Sequence, residues 1–130
     1  MVQWFLALAG GLGGLAVAAG AFASHALKSQ LSDRALEIFE TGSRYQMYHA
    51  LALVLVALLL QQTTQIGGNP LWFNVAGFAF IIGIVLFSGS LYALSLSGIK
   101  VLGAITPLGG VAFIVGWGCV AIAAFTATQS

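Results

Sequence analysis

Two histidines, His25 and His49, bracket nearly every polar side chain in the sequence that could do chemistry. Between and around them lie Glu40, Arg44, Tyr45 and Tyr48, and the stretch Gly20–Leu53 holds six of the seven formally charged side chains (Lys28, Asp33, Arg34, Glu37, Glu40, Arg44). Outside it only Lys100 is charged. Tyr45 and His49 stand four apart, as do Arg44 and Tyr48 and Glu40 and Arg44, so on a helix each pair shares a face. If His25 and His49 sat at similar depth on adjacent antiparallel helices, these six residues could form one network. Its chemistry would be one of three kinds. It could bind an anionic lipid head group or a quinone, move protons through imidazoles that titrate near neutrality, or ligate a metal. Two histidines without a cysteine or well-placed carboxylates fall short of a usual metal set, and haem would need axial ligands deeper in a membrane. The alternative, favoured by the ordinary behaviour of snorkelling arginine and belt tyrosine, is that the cluster pins one helix to its neighbours.

The elements that must position these residues are membrane spans. The 130-residue chain is 60% hydrophobic and 5% charged, with mean hydropathy +1.04. That places it among integral membrane proteins as one domain. A net charge of +1 without a basic tract argues against a nucleic-acid partner, and charges of alternating sign argue against a polybasic lipid patch. Cys119 is alone, so no intramolecular disulfide forms, and its apolar surroundings suit a packing residue. Ala21, Phe22 and Ala23 have the form of a signal-peptidase site. The leading MVQWFLALAG lacks a positive charge, however, so the segment is expected to stay as the first span.

Four spans are expected, over about 4–24, 45–62, 71–93 and 101–125. The first carries Gly10, Gly11, Gly13, Gly14 and Gly20, with small residues four apart, and is expected at the centre of the bundle. Gly83 and Gly116 offer close contacts in the third and fourth. Residues 32–42 read as an amphipathic helix in the interface, capped by Ser32 or Asp33 and bending at Gly42 into the second span. The purely apolar part of that span is about 14 residues, roughly 21 Å. Arg44 to His49 is therefore expected to start in the headgroup layer. Pro107 should kink or locally unwind the fourth span. The fold expected is all-α: a four-helix transmembrane bundle with an amphipathic interfacial helix between the first and second spans.

Lys28, Arg34, Arg44 and Lys100 fall in or beside the first and third loops. The positive-inside rule puts those loops in the cytoplasm and both termini outside. No carboxylate lies inside any of the four expected spans, which argues against a carboxylate-driven ion pump or transporter. There is no nucleophile elbow, HExxH or cofactor loop, so neither an enzyme nor a cofactor is expected. The expected partners are the bilayer and, through the glycine faces, a second copy or another membrane protein.

GAFASHALK (20–28), L-S-x-x-x-L-x-x-F-x-T-G (31–42) and RYQMYHALAL (44–53) resemble the signature of domain-of-unknown-function family 423, also called uncharacterised protein family 0382. His25, Lys28, Gly42, Arg44, Tyr45, Gln46, Tyr48 and His49 match that pattern, and Ser24 stands where glycine is usual. The resemblance implies four spans and an inner-membrane location, and it implies no established activity.

Overall fold

The computed structural model describes residues 1–127. They form four helices long and apolar enough to cross a bilayer: α1 Val2–Leu27, α2 Asp33–Gln65, α3 Leu71–Ser97 and α4 Lys100–Thr126. No strand occurs among the described residues. At 1.5 Å per residue each exceeds the roughly 30 Å of a hydrocarbon core. The chain is thus a four-helix transmembrane bundle.

Local chemistry sets the ends. Ser32 caps α2, its hydroxyl accepting from the Ala35 amide at 3.1 Å, which satisfies one of the donors that every helix start leaves free. Gly98 ends α3 in the left-handed region at φ 72°, where a side chain would be strained. At the other end of the bundle, the Asn69 carboxamide oxygen accepts from the Leu71 amide at 3.0 Å, and the Asn69 amide donates to the Ala127 carbonyl at 3.0 Å.

The amphipathic segment is not a separate helix lying in the interface. Residues 33–65 are one uninterrupted helix, about 50 Å long at the α-helical rise, so its first turns extend the span beyond the hydrocarbon core. Its apolar face packs on the end of α1, where Ala23, Leu27 and Phe39 form a small core with Leu31, Leu36 and Tyr92. Gly42 makes no bend. It is the point where α3 comes closest, since a Cβ there would meet Tyr92, Leu91 and the Ser88 carbonyl within 3.3 Å.

The centre of the bundle is also not α1. Only 17% of the most apolar stretch of α1 is buried, against 44% in α2 and in α3. Helix α2 is central, with contacts to all three others. Lipid tails are as apolar as leucine, so helices associate by close packing and hydrogen bonds. Here the close packing is largely phenylalanine against glycine: Phe5 lies over Gly77, Phe113 over Gly83, Phe80 over Gly116, and the Phe87 backbone against Gly109.

Two π-helical turns interrupt the regular spans, Ala23–Leu27 in α1 and Ile84–Ser88 in α3. Pro107 lies more than one turn into the fourth span, just after a local departure from α-helix. The helix begins as a 3-10 turn over Lys100–Ala104 and becomes α-helical at Thr106, with Pro107 in the first turn. There its missing N–H costs nothing.

Candidate functional site

Helical periodicity divides the RYQMYH stretch of α2 into two buried faces. Gly42, Ser43, Gln46 and Ala50 face α1 and part of α3, while Tyr45 and His49 face α3 and α4. Every polar group on the first face meets a partner. Ser43 donates to the Ala16 carbonyl at 3.0 Å, and Gln46 Nε2 donates to the Leu12 carbonyl at 2.7 Å. Tyr92 of α3 donates its hydroxyl to Gln46 Oε1 at 2.6 Å. Ser88, fully buried, donates to the Gly42 carbonyl at 2.7 Å. A buried carboxamide is costly in hydrocarbon unless its dipole is matched at both ends, and Gln46 is matched at both.

On the second face His49 is buried at 5% exposure. Its Nδ1 lies 2.8 Å from the Tyr45 carbonyl, a group that can only accept, so Nδ1 carries the hydrogen. Nε2 is then the acceptor for the Trp117 indole N–H at 3.1 Å. The ring lies flat on Phe113, centroids 3.5 Å apart and planes 8° from parallel, with Phe80 at 5.4 Å. Tyr45 continues the stack and reaches Phe87 at 4.7 Å. Both imidazole nitrogens are engaged, Nδ1 within α2 and Nε2 across to α4, and neither is free to take a metal or pass a proton without breaking a bond.

The six residues of the expected network divide into three places. Tyr45, Tyr48 and His49 remain together, with Tyr45 and Tyr48 ring centroids 5.6 Å apart. Glu40 and Arg44 pair at 3.7 Å, Arg44 exposed and Glu40 partly so, a geometry that contributes little. His25 is separate. It occupies the exposed π-helical turn at the end of α1, whereas Ala50, next to His49, lies against Gly13 near the middle of α1. Twelve residues of α1 separate those levels, roughly 18 Å. The equal depth of the two histidines is therefore corrected, and the cause is the length of α2: its first two to three turns lie outside the core, which carries His49 to the bundle's midplane.

Sequence reasoning passed over Ser43 and Trp117, took Ser88 only for a close contact and Tyr92 only for the inner aromatic belt, and placed Gln46 at the polar start of the second span without a partner. The available signal was Gln46 itself, because a carboxamide inside a span must face protein. Of the glycines singled out for packing, Gly13, Gly20, Gly83 and Gly116 each meet a neighbouring helix, while Gly10 and Gly14 have nothing within 4 Å. Among the described residues no group of three His, Cys, Asp or Glu side chains is placed to hold a metal ion.

The chain is similar to membrane proteins of several bacteria. It is 50% identical to UPF0382 membrane protein YwdK of Bacillus subtilis over 110 residues, 85% of this chain and 86% of that protein. It is 49% identical over 111 residues to a UPF0382 membrane protein of Staphylococcus aureus, with the same shares covered. A UPF0382 membrane protein of Staphylococcus epidermidis is 50% identical over 103 residues, 79% of this chain and 80% of that one. No solved structure matches the chain significantly. Residues 19–110, which include the end of α1, all of α2 and α3 and the start of α4, match the model described as "Protein of unknown function (DUF423)". The chain therefore belongs to the DUF423 family of membrane proteins.

Proposed function

We propose that the protein is a non-enzymatic interaction protein of the bacterial inner membrane that associates, with a second copy or with another membrane protein, through the outer face of α1. The observation that carries this reading is the contrast among its glycines. Gly77, Gly83, Gly109 and Gly116 each hold a phenylalanine from a neighbouring helix, and Gly42 holds Tyr92. Gly10, Gly11 and Gly14 have open space instead, on the helix with the least of its surface buried. Ala7 and Ala18 are exposed along the same helix. Glycine in a helix costs about 1 kcal/mol relative to alanine, and small residues four apart let another backbone approach closely.

The polar cluster supports this reading by being internally satisfied. Gln46, Tyr92 and His49 spend their hydrogen bonds within the bundle, all but the His49–Tyr45 bond between helices, which suits a rigid scaffold better than a site that exchanges head groups, quinones or protons. Orientation follows from Lys28, Arg34 and Lys100, which share one end of the bundle, giving cytoplasmic first and third loops and external termini.

The test is cysteine crosslinking in native membranes with Cys119→Ala as the background. Cysteine placed at Gly10, Gly11 or Gly14 should capture a second copy or a partner protein, and cysteine at exposed Ile114 of α4 should not. Failure of all three α1 positions to capture either would overturn the reading.

A further inference from the structure

An open cavity of about 540 Å³ lies at the opposite end of the bundle from the charged side chains. The starts of α1 and α3 and the end of α2 line it. Its polar lining is Gln3, Gln61, Thr64, Gln65 and Asn74, above Leu60. Met1 also lines it and brings its α-amino group, while no lining side chain is charged. Asn74 Oδ1 is buried without a hydrogen-bond partner, a condition that costs stability and is uncommon without a reason. Thr64 donates its hydroxyl hydrogen to the Leu60 and Gln61 carbonyls, which leaves its oxygen free to accept.

We propose that this cavity binds a polyhydroxyl group, the sugar or glycerol headgroup of a membrane lipid. The lining chemistry selects that class. A phosphate would call for arginine or lysine rather than the lone α-amino group of Met1, and a divalent cation for carboxylates. Carboxamides both donate and accept, as hydroxyls do, so a ring of them matches a surface of alternating O–H donors and oxygen acceptors. The Leu60 side chain supplies an apolar floor for the C–H face of a sugar. The volume falls in the range of small-molecule sites. A mouth at the ends of three spanning helices lies at headgroup level, which favours a lipid as the source. This site does not rest on the association proposed for α1.

Native mass spectrometry of the full chain in detergent tests it, with diglucosyl-diacylglycerol, phosphatidylethanolamine and free maltose as probes. The glucosyl lipid should be retained about tenfold more strongly than phosphatidylethanolamine, the discrimination expected of one or two added hydrogen bonds. Gln61→Leu and Asn74→Leu should each remove most of that preference. Gln62→Leu, one position along α2 but lining a separate crevice with Phe73 and Ala123, should leave it unchanged. Maltose retained as strongly as the glycolipid would uphold the polyol site and assign it to a soluble saccharide. Equal retention of both lipids without maltose binding, or a preference unchanged by Gln61→Leu, overturns the proposal. Gln61 is exposed, so that variant remains decisive if Asn74→Leu fails to fold.

Discussion

Trp117 donates its indole N–H to His49 Nε2 at 3.1 Å while His49 Nδ1 lies 2.8 Å from the Tyr45 carbonyl. One imidazole thus ties α4 to α2 near the middle of the bundle, and the stack on Phe113 keeps the ring in the plane that both bonds need. The partners on either side are fixed elements, one a helix backbone and the other a side chain half covered by Phe80. That relationship makes the two histidines of this family member unlike each other.

The difference is measurable. His49→Ala removes the stack, leaves the half-exposed Trp117 without its acceptor and opens a cavity, which together should lower stability by about 2–4 kcal/mol. His25→Ala, at an exposed position, should change it by less than about 0.5 kcal/mol. Trp117→Phe keeps an aromatic ring while losing the bond and part of the indole's packing, so about 1–2 kcal/mol is expected. Thermal unfolding in detergent, followed by loss of helical signal, separates the three. Equal effects of the two histidine variants would contradict the assigned depths.

The second polar anchor is the chain from Tyr92 through Gln46 to the Leu12 carbonyl. Tyr92→Phe and Gln46→Met should each destabilise the bundle, and the double variant should cost less than their sum. The coupling expected is about 0.6–1.7 kcal/mol, the range found for hydrogen bonds between membrane helices. Additive effects would mean that the two side chains do not depend on each other.

Glycine substitutions should divide into two classes. Gly109→Ala would press a methyl group into the Phe87 backbone, which cannot rotate away, and overpacking of that kind costs about 1–3 kcal/mol. Gly14→Ala meets nothing within the chain and should raise the stability of the isolated protein by up to about 1 kcal/mol. The same alanine should weaken crosslinking through α1, and Gly14→Leu should abolish it. A loss of monomer stability in Gly14→Ala would remove the basis for treating that face as unoccupied.

Much of the fold was legible because spans are read from length and apolarity, which need no tertiary information. Ser32 announced the start of α2 by its residue type, and the belt of loops rich in lysine and arginine marked one end. The continuity of α2 was hidden by Gly42. A glycine between a polar segment and an apolar one reads as a bend, yet in a membrane helix it equally marks the approach of another helix, and only the packing of Tyr92 and Ser88 distinguishes the two. The depth of His49 was misjudged for the same reason, since counting from a bend at Gly42 places it one or two turns into the core rather than at its middle. Asn74 gave no signal, because an orphaned acceptor exists only once its neighbours are placed.

The π-helical turn Ile84–Ser88 gives the last prediction. Such a turn holds one residue more than an α-helical path between the same ends, and here it sits between the part of α3 that carries Phe80 and the part that carries Tyr92. Deleting Val85, whose side chain is exposed, would let the turn revert to α-helix without removing a core contact of its own. The residues after it would then keep the faces they have now, since the α-helical path between the same ends needs one residue fewer. Ser88 and Tyr92 would stay against Gly42 and Gln46, so the deletion should destabilise the bundle less than Ser88→Ala and Tyr92→Phe together. Substituting Val85→Ala keeps the turn and should be near neutral. If thermal unfolding found the deletion more damaging than the two substitutions together, the turn would not be holding a single extra residue.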